Sequence, residues 1–258
     1  MQTNDSPFHL SNQTNQLLLA IDTCGPTGSV ALGRWDGQAV EILGQIELEG
    51  RNYSSTLVTA VGEVLAQGGV ALRELGAIVV VYGPGSFTGV RVGLAAVKGL
   101  AEAAGLPVVA VSRLEVLAAK AGCELAVLDA HRHEVYLRIG EESWVPHIPI
   151  LGSGNTHSST ALSYRELLAG AQELAEFVCG PSRVALCDEA AALLLASARP
   201  EAEVVRTEAP TAADALRLGA SRVAAGEFAD LALLDGHYLR RSDAEIFGEP
   251  TPAATQRR

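Results

Sequence analysis

Residues 77–99 read AIVVVYGPGSFTGVRVGLAAVKG: a β-branched apolar run, a glycine-containing turn and an apolar periodic segment in direct succession. A strand that turns straight into a helix is the unit from which α/β folds are built, and it points free amides of the first helical turn at whatever lies before them. Phosphate suits such a site, because the helix end contributes about 0.3–2 kcal/mol to a bound anion. The spelling fits neither standard phosphate loop. A P-loop has Gly, four residues and then Gly-Lys-Ser/Thr, whereas Gly89 is followed by Val90 and the nearest lysine, Lys98, lies well along the helix. The dinucleotide fingerprint needs a glycine where Thr88 stands.

Packing accounts for more of these residues than an anion does. On a helix, Gly89, Gly93 and Ala96 share one face and admit a close neighbour, while Phe87, Val90, Leu94, Val97 and Ala101 form a separate apolar stripe. Two such faces exceed what a helix with one buried side requires. Part of this helix is therefore a candidate protein interface.

The rest of the chain spells alternating strands and helices. LLLAIDT (17–23) is a strand buried on both faces, GPTG turns it into SVALGR (29–34), and Asp36-Gly37 is a hairpin signal leading to AVEILGQIEL (39–48). Helical spacing puts Leu57, Val58, Val61, Val64 and Leu65 on one side of residues 53–67, which Gly68-Gly69 end. LPVVAV (106–111) is the strand that opens a second unit. ELAVLDA (124–130) and EVYLRIG (134–140) then pair across a tight connection. Capping-box patterns at Ser112–Glu115, Ser163–Glu166 and Thr211–Asp214 predict three helix starts, the last helix running to about Ala225 and closed by Gly226. Residues 145–162 are rich in Pro, Gly, Ser and Thr without a period and read as a surface loop. The reading after Arg240 is a polar, frayed tail.

Charge and cysteines narrow the function classes. A net charge of −11 over 258 residues argues against holding nucleic acid by a broad basic field. Any RNA contact needs a local basic patch or a partner. Cys24, Cys123, Cys179 and Cys187 include no CxxC pair, so reduced structural thiols are expected rather than a zinc site or disulfides. The first sixteen residues lack the apolar core of a signal peptide or anchor, and no run of about eighteen apolar residues occurs, so a cytoplasmic protein without membrane contact is expected.

Chemistry-bearing residues are few. Asp22-Thr23 ends a buried strand beside a glycine turn; in a two-lobed nucleotide-binding fold such an Asp reaches phosphate and metal, and with Gly85, Ser86 and Thr88 it makes the candidate cofactor-binding set. Taken alone, an Asp at a strand end bonds its own backbone as a turn former. His131 and His133 lie two apart in a strand connection, poor spacing for one zinc, and read as an exposed turn. Ser86 and Ser112 have no neighbouring His and Asp in the sequence to activate them. No catalytic residue and no metal ligand is assigned.

LLLAIDT, SVALG, YGPGSFTGVRVGLAAVKGLA, PVVAVSRLEVLA, DAHRHEVY and a late YLR, in that order over residues 17–240, resemble the TsaB (YeaZ-type) family. The resemblance implies an α/β fold of two RNase H-like lobes of the actin/Hsp70 ATPase-like (ASKHA) superfamily, with mixed sheets flanked by helices. It implies a non-catalytic subunit that pairs with a TsaD-type threonylcarbamoyltransferase, together with the TsaE ATPase, to form threonylcarbamoyladenosine beside the anticodon of tRNAs reading codons that start with A. No cofactor of its own is implied, apart from ATP or ADP at a boundary with a partner; tRNA is reached through the complex, and a homodimer forms when the chain is alone. TsaD-type proteins carry a metal-binding His-x-x-x-His on the helix matching residues 53–67, and Tyr53 and Leu57 stand at those places here. Family pairing runs through the first lobe's two helices, which carries over to Leu57, Val61, Val64 and Leu65 and to Phe87, Val90, Arg91, Leu94 and Lys98.

The expected domains are a disordered extension (1–16), a first lobe (17–105) completed by the 211–226 helix, a second lobe (106–210) and a C-terminal segment (227–258). Two other classes stay open on the residues: a self-sufficient actin/Hsp70-type ATPase using Asp22 and the 83–88 loop, and a metallopeptidase whose metal site the sequence does not assemble.

Overall fold

The computed structural model describes residues 15–49, 52–140, 164–178 and 181–240. The extension before residue 15, the 145–162 segment, Cys179 and the tail after Arg240 lie outside them.

Strands β1 (Gln16–Asp22), β2 (Thr27–Trp35) and β3 (Val40–Glu49) form the expected antiparallel meander. Asp36 makes its second turn, accepting hydrogen bonds from the Gln38 and Ala39 amides while Gly37 takes a φ of 103°. Helix α1 (Tyr53–Gln67) follows, then β4 (Ala77–Val81), which pairs parallel to β1, and α2 (Phe87–Ala104). The Gly83–Pro84 bond between β4 and α2 is cis. β5 (Val108–Val111) also pairs parallel, with β4, and completes a sheet of order β3-β2-β1-β4-β5. Here the structure corrects the expected start of the second unit: β5 belongs to the first sheet, because its valines extend the continuous apolar surface of β4.

Helix α6 (Ala212–Ala225) returns to that first sheet from far along the chain. Gly33 approaches Leu216 of α6 while its neighbour Leu32 approaches Gly68 beyond α1, so α1 and α6 cover opposite faces. The start of α6 is a reciprocal cap: Thr211 Oγ1 accepts from the Asp214 amide, and Asp214 Oδ2 accepts from the Thr211 amide. Thr211→Ala is expected to lower stability by about 1 kcal/mol, read as a lower urea midpoint at unchanged slope.

Helix α3 (Arg113–Ala121) leads into the second sheet, of order β10-β9-β6-β7-β8. β6 (Leu125–Asp129) and β7 (Val135–Gly140) pair antiparallel as expected. Residues 164–169, read as a helix from the Ser163–Glu166 pattern, are instead β8 (Tyr164–Ala169). Tertiary pairing overrides the local pattern: β8 registers antiparallel on β7 with Glu166 opposite Arg138, and helix α4 (Ala171–Phe177) begins only after Gly170. β9 (Arg183–Leu186), α5 (Glu189–Ala198) and β10 (Glu203–Arg206) complete this layer, with α4 and α5 packed together.

Candidate functional site

The turn after β1 and the start of α2 are fitted into each other. Thr23 Oγ1 donates to the Gly89 carbonyl at 2.7 Å, and the Ser86 amide donates to the Cys24 carbonyl at 2.8 Å. A β-carbon at Gly85 would collide with the Cys24 carbonyl oxygen, at Gly89 with the Thr23 carbonyl oxygen, and at Gly93 with Thr23 Oγ1. The small face of α2 is therefore filled by the chain's own turn. Ser86 caps the helix, accepting from the Gly89 amide at 3.2 Å.

The candidate cofactor-binding residues divide accordingly. Asp22 and Thr23 are buried and committed: Asp22 Oδ1 accepts from the Cys24 amide at 2.8 Å, the turn-former role read from its sequence position. Asp22 Oδ2 lies 3.7 Å from Arg113 Nε, an ion pair without a hydrogen bond. Burial pushes the Asp22 carboxyl above its ordinary range, against the pull of Arg113 and the Cys24 amide. Ser86 and Thr88 are exposed, and Gly85 is half-buried.

Tyr53, at the start of α1, packs under Gly28 and donates its hydroxyl to the Gly25 carbonyl at 2.8 Å. Burial and then the Asp22 charge push its phenol up to about 12. Leu57, one turn further along α1, is 1% exposed.

Most of the candidate interface residues are interior. Leu57, Val61, Val64, Leu65, Val90 and Leu94 belong to the first lobe's own core, which the apolar stripe of α2 reaches by packing on β4 and α1. This corrects their reading as a partner surface. A charge at Leu94 would strike the monomer's core, not its association. Phe87 is half-buried beneath Tyr238, with ring centroids 4.2 Å apart, and the exposed Arg91 places its guanidinium 4.6 Å from the Phe87 centroid. Lys98 is half-buried. The outward face of the two helices carries Val58, 64% exposed, with Gly62, Ala95 and Gly99; nothing lies within 4 Å of where a Gly62 or Gly99 β-carbon would be.

His131 and His133 are exposed, as expected of a turn, and with Arg132 they take φ values of 61°, 56° and 61°. Among the described residues no three His, Cys, Asp or Glu side chains gather as a metal group. Cys24 is buried and Cys123 and Cys187 half-buried, all three free.

Sequence reasoning missed one polar cluster. Ser112, expected to lack activating partners, donates its hydroxyl to Glu166 Oε2 at 2.6 Å; His237 Nε2 lies 2.9 Å from the same oxygen, and Arg138 is 3.0 Å from Oε1. The order is not that of a nucleophile with its base, because the serine proton points at the carboxylate. No local spacing links positions 112, 138, 166 and 237.

Residues 42–143 match the family model described as tRNA N6-adenosine threonylcarbamoyltransferase, TsaD. The chain is 40% identical over 129 residues to the tRNA threonylcarbamoyladenosine biosynthesis protein TsaB of Haemophilus influenzae, covering 47% of this chain and 52% of that one. It is 38% identical over 125 residues to TsaB of Escherichia coli, covering 46% and 52%. The chain spans about half the length of these curated relatives. YeaZ from Pseudomonas aeruginosa superposes with a TM-score of 0.64 at 27% identity, over 87% of this chain and 100% of that one. The α/β fold of two mixed sheets flanked by helices agrees with that likeness and with the RNase H-like, ASKHA-type lobes expected. By sequence over about half of its length and by structure over most of it, the chain is similar to proteins of the TsaB, or YeaZ-type, family.

Proposed function

We propose that this protein acts in the formation of threonylcarbamoyladenosine on tRNA, as a non-catalytic subunit that pairs with a TsaD-type enzyme. One observation carries the reading: residues 42–143, which match the threonylcarbamoyltransferase family model, contain the whole α1–α2 unit, and the α1 positions that the resemblance gives to metal-binding histidines hold here the bonded phenol of Tyr53 and the buried side chain of Leu57. Neither side chain ligates a metal as imidazole does. The net charge of −11 suits a subunit that leaves RNA binding to the complex, with a TsaE-type ATPase as a further partner and the cytoplasm as the compartment. Among the described residues no helix is long and apolar enough to cross a membrane.

The pairing surface in this reading is the outward side of the two helices. Val58, Gly62, Ala95 and Gly99 are small or apolar and let a second helix pair approach closely, whether from TsaD or from another copy of the chain. Asp22 and Thr23 are bound internally, which speaks against a self-sufficient ATPase.

Ala95→Arg is expected to weaken the complex with the cognate TsaD-type enzyme at least tenfold, a cost of about 1.4 kcal/mol at the interface centre, while leaving the thermal midpoint of the isolated chain unchanged. Calorimetric titration with ATP and the TsaE-type ATPase present measures it. Wild-type protein that forms no complex, together with a gene deletion that leaves the modified adenosine intact, sinks the functional reading; an unaffected Ala95→Arg complex sinks only the surface assignment.

A further inference from the structure

The segment after α6 does not simply trail off. It runs back over the first lobe (first sheet with α1, α2 and α6) and then across to the second, touching both with different kinds of bond. On the first lobe, the His237 amide donates to the Tyr82 carbonyl at 2.8 Å, and the two rings stack with centroids 5.3 Å apart. Tyr238 lies on Phe87 at the start of α2, beneath the Arg91 guanidinium at 5.8 Å. Gly83 has a φ of 123°, and a β-carbon there would sit 2.9 Å from the His237 carbonyl oxygen, so the strap lies directly on the β4–α2 turn. On the second lobe, His237 Nε2 meets Glu166 of β8, Leu239 packs beside Leu114, Leu117 and Leu128, and Arg240 reaches Glu134 and the His131 carbonyl in the β6–β7 turn.

Glu166 is where these lines cross. Its carboxylate is 6% exposed and takes bonds from Ser112 at the chain crossover, from Arg138 on the neighbouring strand and from His237 on the strap. A buried carboxylate is stable only while such partners stay in place, so an opening that draws the strap or the Ser112 crossover away from β8 must break the His237 or Ser112 bond and leave the carboxylate with Arg138 of its own sheet. Between apolar surfaces alone, sliding would cost less per step, because apolar contact is not directional.

We propose that residues 234–240 are a lobe clamp, keyed by the Glu166 carboxylate, that holds the two lobes at one mutual angle and ties the start of α2 to the second sheet. The protein is then a rigid body, unlike a hinged two-lobed enzyme that opens and closes about its ligand. This inference does not depend on the tRNA reading.

Native-state hydrogen exchange on the full chain tests it, with His237→Phe, which keeps a ring on Tyr82 and loses the nitrogen facing Glu166. Exchange is expected to quicken about tenfold or more, together, in the strap, in β8, in the β6–β7 turn and in residues 82–91, with the central strands β1 and β6 unchanged. Quickening confined to the strap, spread evenly through both sheets, or absent would overturn the clamp. Tyr238→Ala, which releases the strap from Phe87 without touching the buried carboxylate, is read by the same criteria and decides the matter should His237→Phe fail to fold.

Discussion

Glu166→Ala is expected to cost about 3–5 kcal/mol of folding stability at neutral pH, measured by urea unfolding, because it leaves the Arg138 guanidinium buried without its carboxylate. Side-chain exposures of 12% for Arg138 and 6% for His237 give water little chance to replace it. The pH dependence follows from the direction of its titration. Burial alone would raise the Glu166 carboxyl, but the bond and charge of His237, the charge of Arg138 and the Ser112 hydroxyl together hold it below its ordinary 4.5. A carboxyl lowered in the folded state stabilises above its unfolded value and loses that contribution as pH falls through the folded one. Wild-type stability should therefore decline below about pH 4.5 partly through this residue, and Glu166→Gln, less stable at neutral pH, should show a flatter acid limb. Parallel acid limbs for the two proteins would show that the cluster does not hold the charge as described.

Gly89→Ala is expected to lose on the order of 3 kcal/mol or more, although alanine is the better helix former. The added methyl has nowhere to go: the Thr23 carbonyl oxygen occupies its place and the Tyr53 ring stands 3.3 Å away. Neither can retreat, since Thr23 is tied to the Gly89 carbonyl and Tyr53 to Gly25. Gly99→Ala, further along the same helix with nothing within 4 Å, is expected to gain about 0.5–1 kcal/mol. Opposite signs at two glycines of one helix, read by chemical denaturation, separate close approach from propensity. Similar values at both would remove the steric account.

Much of the first lobe is legible locally. The meander, α1, β4, α2 and α6 fall where alternation, 3.6-residue periodicity, Asp36-Gly37 and the Thr211–Asp214 cap place them, since each signal is settled within a few residues. The small face of α2 was likewise visible as Gly89 and Gly93. What it receives, the turn at Thr23, comes from a separate strand, so its owner was not. Val58 shows the limit of a pattern: it shares a stripe with Leu57 and Val61 by spacing, yet it points outward, because helical spacing leaves the edge of a buried face open until a neighbour covers it.

The sequence alone determined the order of elements in the first lobe, the turn chemistry at Asp36 and Gly226, the failure of the glycine segment as a phosphate loop and the resemblance to TsaB-type proteins, because each rests on neighbours along the chain. The tertiary structure alone decided that β5 joins the first sheet, that Tyr164–Ala169 is a strand, that the apolar stripe of α2 is core, and that Ser112, Arg138, Glu166 and His237 meet. These four outcomes are set by pairing and burial between segments far apart in sequence, where the free energy of removing apolar surface from water and satisfying buried charge outweighs local preference.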